Sequence, residues 1–120
     1  MALVCPKCER GTLKVTAAIE LAPTARADEM AVQMVACPTC SFEGVAVYEE
    51  SRRGALDDEW VNHMAYAATE EGLRAARRLI RACPHKRDPR CGCASHRALA
   101  DYDTVEGVEW EHPMPILFRR

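Results

Sequence analysis

Between Leu13 and Leu21 the chain alternates. Leu13, Val15, Ala17, Ile19 and Leu21 fall on one side, and Lys14, Thr16, Ala18 and Glu20 on the other. A period of two residues marks a strand with one wet face. Pro23 to Asp28 reads as a loop. Met30 to Ala36 is a second strand that runs straight into Cys37, and Val45 to Tyr48, extended as far as Arg53, is a third.

After Gly54 the spacing changes. Asp57 or Asp58 is placed to cap a helix with apolar positions Trp60, Val61, Met64, Ala67 and Ala68. Thr69-Glu70-Glu71-Gly72 interrupts that stripe. A second helical stretch runs from Leu73 to Ala82, where Leu73, Ala76, Leu79, Ile80 and Cys83 share one side. The two stripes are rotated by about 100°, so a kink or break near Gly72 is expected. Pro84 ends the helix, residues 84–94 form a polar loop, and Ser95 is a candidate cap for a short helix through Ala100. The tail from Val105, with Trp110, Pro113 and Pro115, reads as an edge strand or extended arm. The expected fold is α+β: a three-stranded sheet over residues 1–53, then a helical segment over 54–120, packed as one unit.

Composition adds a constraint. Aromatic residues make up only 6% of the chain, so the core lacks large fillers. A small chain with a lean core needs a staple, and seven cysteines are available. The start, Met-Ala-Leu-Val-Cys, has neither a basic nor an apolar leader region, so no secretory signal is expected. No apolar run approaches the ~20 residues of a membrane span. A cytoplasmic protein with reduced thiols follows as the expectation, and an odd cysteine count argues against a fully paired disulfide framework.

Cys5-Pro6-Lys7-Cys8 and Cys37-Pro38-Thr39-Cys40 are separated by 28 residues. Each Cys-x-x-Cys turn offers two sulfurs to one side of a tetrahedral zinc site. Gly11 and Gly44 follow the pairs and read as the permissive backbone positions of the two knuckles. Four thiolates close the coordination sphere, so the metal is expected to hold the fold. Neither pair starts a helix in a βαβ setting, as a redox dithiol would. Residues 3–50 resemble the zinc-ribbon superfamily, with Ser41 standing where many ribbons and rubredoxins carry glycine. That resemblance implies a metal-stabilised fold of the kind found in transcription factors, RNA polymerase subunits and ribosomal proteins, with iron in a rubredoxin-like site as the alternative metal.

Cys83, Cys91, Cys93 and His96 remain, and three Cys with one His form a normal structural zinc set. His85 competes with His96 as the fourth ligand. The bland reading leaves Cys83 as a core residue and Cys91 and Cys93 as surface thiols. A zinc deaminase is excluded, because it requires His-x-Glu with Pro-Cys-x-x-Cys and this chain has neither.

The net charge of −2 conceals a segregation. Arg74 to Arg97 holds eight basic residues and one acidic residue; Asp101 to Glu111 holds five acidic residues and no Lys or Arg. Arg74, Arg77, Arg78 and Arg81 form one stripe of the helix, opposite its apolar side. Such a face is a contact for nucleic-acid phosphates or an acidic protein partner. It is equally a solvated face, or a dock for the acidic tail. No nucleophile, base and orienter can be assembled from neighbouring positions, so an enzyme is not expected. The expected function is a zinc-stabilised interaction module, with a transcription- or translation-associated adaptor implied by the resemblance. The alternative is a metal- or thiol-handling protein that works through Cys83, Cys91, Cys93 and His96.

Overall fold

The computed structural model describes residues 2–52 and 59–119. The anticipated caps Asp57 and Asp58, and the break at Gly54, lie outside them. Strands β1 (Ala2–Leu3), β2 (Lys14–Leu21), β3 (Glu29–Ala36), β4 (Glu43–Arg52) and β5 (Glu59–Ala67) come first. Helices α1 (Glu70–Ala82) and α2 (Ala94–Ala100) follow, then a 3-10 turn at Tyr102–Thr104 and strands β6 (Met114–Pro115) and β7 (Phe118–Arg119). The result is a small α+β structure, mostly antiparallel strands with two helices.

Among the described residues the main sheet has five strands in the order β2-β3-β4-β5-β6, not the three expected. The first addition is β5. Residues 60–67 are strand rather than helix, paired with β4 from Gly44↔Ala67 to Arg52↔Glu59. Trp60, Val61 and Tyr66 favour strands, and each side chain finds a cross-strand neighbour. The helical spacing of Trp60, Val61, Met64 and Ala68 was coincidental. The second addition is β6, which pairs Met114 and Pro115 with Ala65 and Met64. This is the edge strand read in the tail.

The register decides which side chains share a face. Val32, Val47 and Met64 lie side by side, as do Gln33, Ala46 and Ala65 on the other face. On the first face, Ile19, Leu21, Val32, Met34, Val45 and Val47 form one core with Ala76 and Ile80 of α1 and Leu99 of α2. On the second, Val35, Ala46 and Ala65 pack with Leu13, Ile116, Cys5 and Cys37. The second face also carries a polar bridge, in which His63 and Gln33 meet across Ala46 at 2.7 Å. The ends of the described chain meet beside this second core: β1 pairs with β7, and the Val4 amide donates to the Leu117 carbonyl.

Helix α1 begins three residues before the expected Leu73. Thr69-Glu70-Glu71-Gly72 does not interrupt a helix; it starts one. The Thr69 hydroxyl accepts from the Gly72 amide at 3.1 Å, and Glu70 and Glu71 occupy the first turn, where carboxylates favour the helix dipole. Gly72 is not a kink. A Cβ there would lie 2.5 Å from the Gly107 carbonyl oxygen, so the loop backbone crosses the helix at that point. Gly107 itself has φ +85°. The cap of α2 is also displaced: Cys93, not Ser95, is the N-cap, and its sulfur accepts from the His96 amide.

Candidate metal centres

The first cluster sits where two turns meet. One follows β1 and the other links β3 to β4. They have the same local construction. The Cys5 amide donates to the Arg10 carbonyl and the Glu9 amide to the Cys5 carbonyl; the Cys37 amide donates to Phe42 and the Ser41 amide to Cys37. Glu9 and Ser41, each just after the second cysteine of its pair, have φ 61° and 66°. The left-handed residue of each knuckle is therefore Glu9 or Ser41. Gly11 and Gly44, expected to serve that purpose, do not have positive φ. Gly44 answers a different need. A Cβ there would lie 2.6 Å from the Tyr66 carbonyl and 2.8 Å from the Phe42 ring.

These turns bring the sulfurs of Cys5, Cys8, Cys37 and Cys40 within 4.8 Å of one another. Cys5 and Cys40 are 3.6 Å apart, and Cys8 and Cys37 3.7 Å. A zinc ion with Zn–S near 2.3 Å spaces tetrahedral sulfurs about 3.8 Å apart. A disulfide would need about 2.05 Å, and all seven cysteines are free. Cys5 and Cys37 are buried, and Cys40 is exposed.

A relay supports this set. Thr39 donates its hydroxyl proton to Thr12 Oγ1 at 2.9 Å, which leaves the Thr12 hydroxyl to donate to Cys37 Sγ at 3.2 Å. The Thr12 contact is the main reason the Cys37 thiol is brought down to about 6, with the Cys40 and Thr39 amides assisting against burial. Cys40 moves the other way. The Phe42 amide pulls it down, but local desolvation of the sulfur, on a residue otherwise exposed, and the neighbouring sulfurs of Cys5, Cys37 and Cys8 outweigh this and push it up to about 12. Neither threonine was found by sequence reasoning, because a hydroxyl on a neighbouring turn has no spacing signature.

The second cluster lies between the helices and the margin of the sheet. Cys83 follows α1, Cys91 lies on the loop, and Cys93 and His96 straddle the start of α2. Their donor atoms also fall within 4.8 Å of one another. Cys83 and Cys91 are 3.9 Å apart; His96 Nδ1 is 3.2 Å from Cys83 Sγ and 3.3 Å from Cys93 Sγ. His96 Nε2 lies 2.8 Å from the Glu20 carbonyl. A carbonyl only accepts, so Nε2 carries the proton and Nδ1 turns its lone pair toward the sulfurs. This is the outer hydrogen bond that metal-ligating histidines make. The competitor His85 is exposed and offers only its backbone amide, to Cys83 Sγ. Burial pushes the Cys83 thiol up, whereas the His96 amide and ring bring Cys93 down to about 6.

The same loop fastens onto β2. The Glu20 amide donates to the Lys86 carbonyl at 2.8 Å, so both backbone groups of Glu20 are engaged by the cysteine segment. Lys86 Nζ in turn donates to the Cys83 carbonyl.

Arg74, Arg78 and Arg81 of α1 are exposed, and with Arg77 they line a shallow groove. Arg77 is half-buried and donates to Glu43 Oε2 at 3.3 Å. Among the described residues no carboxylate of the 101–111 segment pairs with any of the four. No helix among the described residues is long and apolar enough to cross a membrane. No protein-family model, curated protein or solved structure matches the chain.

Proposed function

We propose that this chain is a non-enzymatic, zinc-stabilised binding module of the zinc-ribbon kind. It holds two zinc ions and presents the arginines of α1 to nucleic acid or an acidic protein surface. The observation that carries the metal reading is the match of sulfur separations, 3.6, 3.7 and 3.9 Å, to the edge of a zinc tetrahedron, about 3.8 Å. Four soft donors in each set favour zinc over hard cations. Four protein ligands also leave no position for a reacting water, which favours a structural role. The recognition reading is supported by three exposed guanidiniums that, among the described residues, no carboxylate pairs with.

Native mass spectrometry of the intact chain tests the metal reading, with two zinc ions expected. Cys91→Ser should retain one, and Cys37→Ser should lose the ordered first cluster, because structural zinc supplies folding free energy directly. A single zinc in the wild type, unchanged in Cys91→Ser, overturns the two-site reading. For recognition, Arg78→Glu with Arg81→Glu should keep both zincs and abolish salt-sensitive binding to RNA, DNA or an acidic protein. The absence of any such binding by the wild type overturns it.

One observation favours a second reading, metal or thiol handling. Cys91 and His96 border an open hollow of about 340 Å³ walled by Leu21, Pro23, Met30 and Pro89. This gives a small chelator or thiol a way in. Exchange of the second zinc much faster than the first would select this reading.

A further inference from the structure

A third group of side chains belongs to neither cluster nor to the arginine stripe. Tyr66 on β5, Tyr102 in the 3-10 turn and Trp110 in the returning tail come together on the helix side of the sheet. The Trp110 ring lies 4.8 Å from that of Tyr66 and 5.2 Å from that of Tyr102, at interplanar angles of 56° and 55°. The rings are splayed rather than stacked flat, and all three are half-buried. The indole is held in place by its N–H, which donates to the Val105 carbonyl at 3.0 Å.

The three rings line an open hollow of about 620 Å³ together with Asp103, Glu109, Glu111 and His112. All three carboxylates are exposed, and among the described residues no ion pair engages them. Residues 98–118 contain no Lys or Arg. Of the three carboxylates only Asp103 acts on a phenol, that of Tyr102, while Glu49 acts on both phenols. Burial, then Tyr102 and Glu49, hold Tyr66 above the usual phenol range. Burial, Glu49 and Asp103 do the same for Tyr102, with Arg26 pulling back. The three rings also pack against the helix-side core. Core packing brings rings together but does not call for three like charges beside them.

We propose that this hollow binds a methylated ammonium group. The faces of Tyr66, Tyr102 and Trp110 attract the cation through the ring quadrupole, and Asp103, Glu109 and Glu111 supply the long-range field. Methyl groups fit this site better than bare ammonium protons do. They present apolar surface to the rings and have little hydration to lose. The site is separate from the arginine face and has the opposite charge preference.

The test uses an isosteric pair, choline and its neutral analogue 3,3-dimethylbutan-1-ol, on the full zinc-loaded chain. The readout is the Trp110 indole N–H resonance, made unique by Trp60→Phe. Choline should move that resonance and bind at least about tenfold more tightly than the neutral alcohol. Glu109→Gln with Glu111→Gln, at exposed positions that leave the fold and zinc content unchanged, should weaken choline binding and leave the alcohol unaffected. An N-acetylated trimethyllysine amide that binds more tightly than choline identifies a modified protein side chain as the source; the reverse order identifies a free small cation. Equal binding of the isosteric pair, no movement of the Trp110 resonance, or stronger competition by guanidinium than by choline overturns the proposal.

Discussion

At the scale of single residues, the two candidate metal clusters depend on side chains of two kinds. The four cysteines of the first were legible from spacing alone, because Cys-x-x-Cys repeated across a strand pair has few other uses; the second set has no such spacing. The supporting residues were not legible. Glu9 and Ser41 have φ 61° and 66°, a conformation in which a Cβ crowds the following carbonyl. Ser41→Gly should therefore stabilise the zinc-loaded protein by up to about 1 kcal/mol, read as a higher denaturation midpoint at fixed zinc. Thr12 supports Cys37 through one hydrogen bond. Thr12→Val should lower zinc affinity at the first cluster about tenfold or more and leave the second unchanged, as measured by chelator competition. His85 and His96 could not be separated by sequence, because both lie near Cys83 in the chain. The structure separates them by burial and by the Glu20 contact. His96→Ala should cost the second zinc, and His85→Ala should cost none, in a mass-spectrometric count.

At the scale of elements, α1 was readable and β5 was not. The apolar side of α1 carries Leu73, Ala76, Leu79 and Ile80 at helical spacing against an arginine stripe, so its period survives inspection. In β5 the alternation is hidden, because one face carries Val61, His63 and Ala65, of which only Ala65 is buried. On the face that meets Gln33 the valine is exposed and the buried residue is only an alanine, so its hydrophobic signal is weak. His63 gives this strand a pH signature. Burial holds its imidazole below the usual histidine range. The unfolded chain then takes up a proton first as pH falls through about 6.5, and acidification favours unfolding. The stability is present above that pH and lost below it. His63→Gln should flatten that part of the acid limb, compared with wild type at equal zinc loading. At the start of α1 the usual rule reverses. Gly→Ala inside a helix normally gains up to about 1 kcal/mol. Gly72→Ala should instead cost about 1–3 kcal/mol, because its Cβ would meet the Gly107 carbonyl at 2.5 Å. Thermal or chemical denaturation gives the sign.

At the scale of the whole molecule, each cluster joins parts of the chain that sequence leaves far apart. The first ties the turn after β1 to the turn after β3; the second ties the end of α1 to the start of α2 and fastens both to β2. Among the described residues no ion pair joins the arginines of α1 to the acidic 101–111 segment. The fastening of β2 has an outcome for behaviour in solution. β2 is the outermost strand of the sheet, and the opposite margin is the two-residue β6, which ends on Pro115 and has little to offer a visitor. Glu20 is where the cysteine loop occupies the backbone of β2. If zinc holds this cluster as proposed, stripping it should free His96 and slacken that loop, and the amide and carbonyl of Glu20 should become open to a strand from another molecule. Light scattering should then climb with protein concentration, in the His96→Ala variant as in chelator-treated wild type, and only the wild type should clear again when zinc is restored. On the two-zinc reading the second metal would act as a gatekeeper against sticking, and its loss would be seen first as turbidity, before any loss of helix.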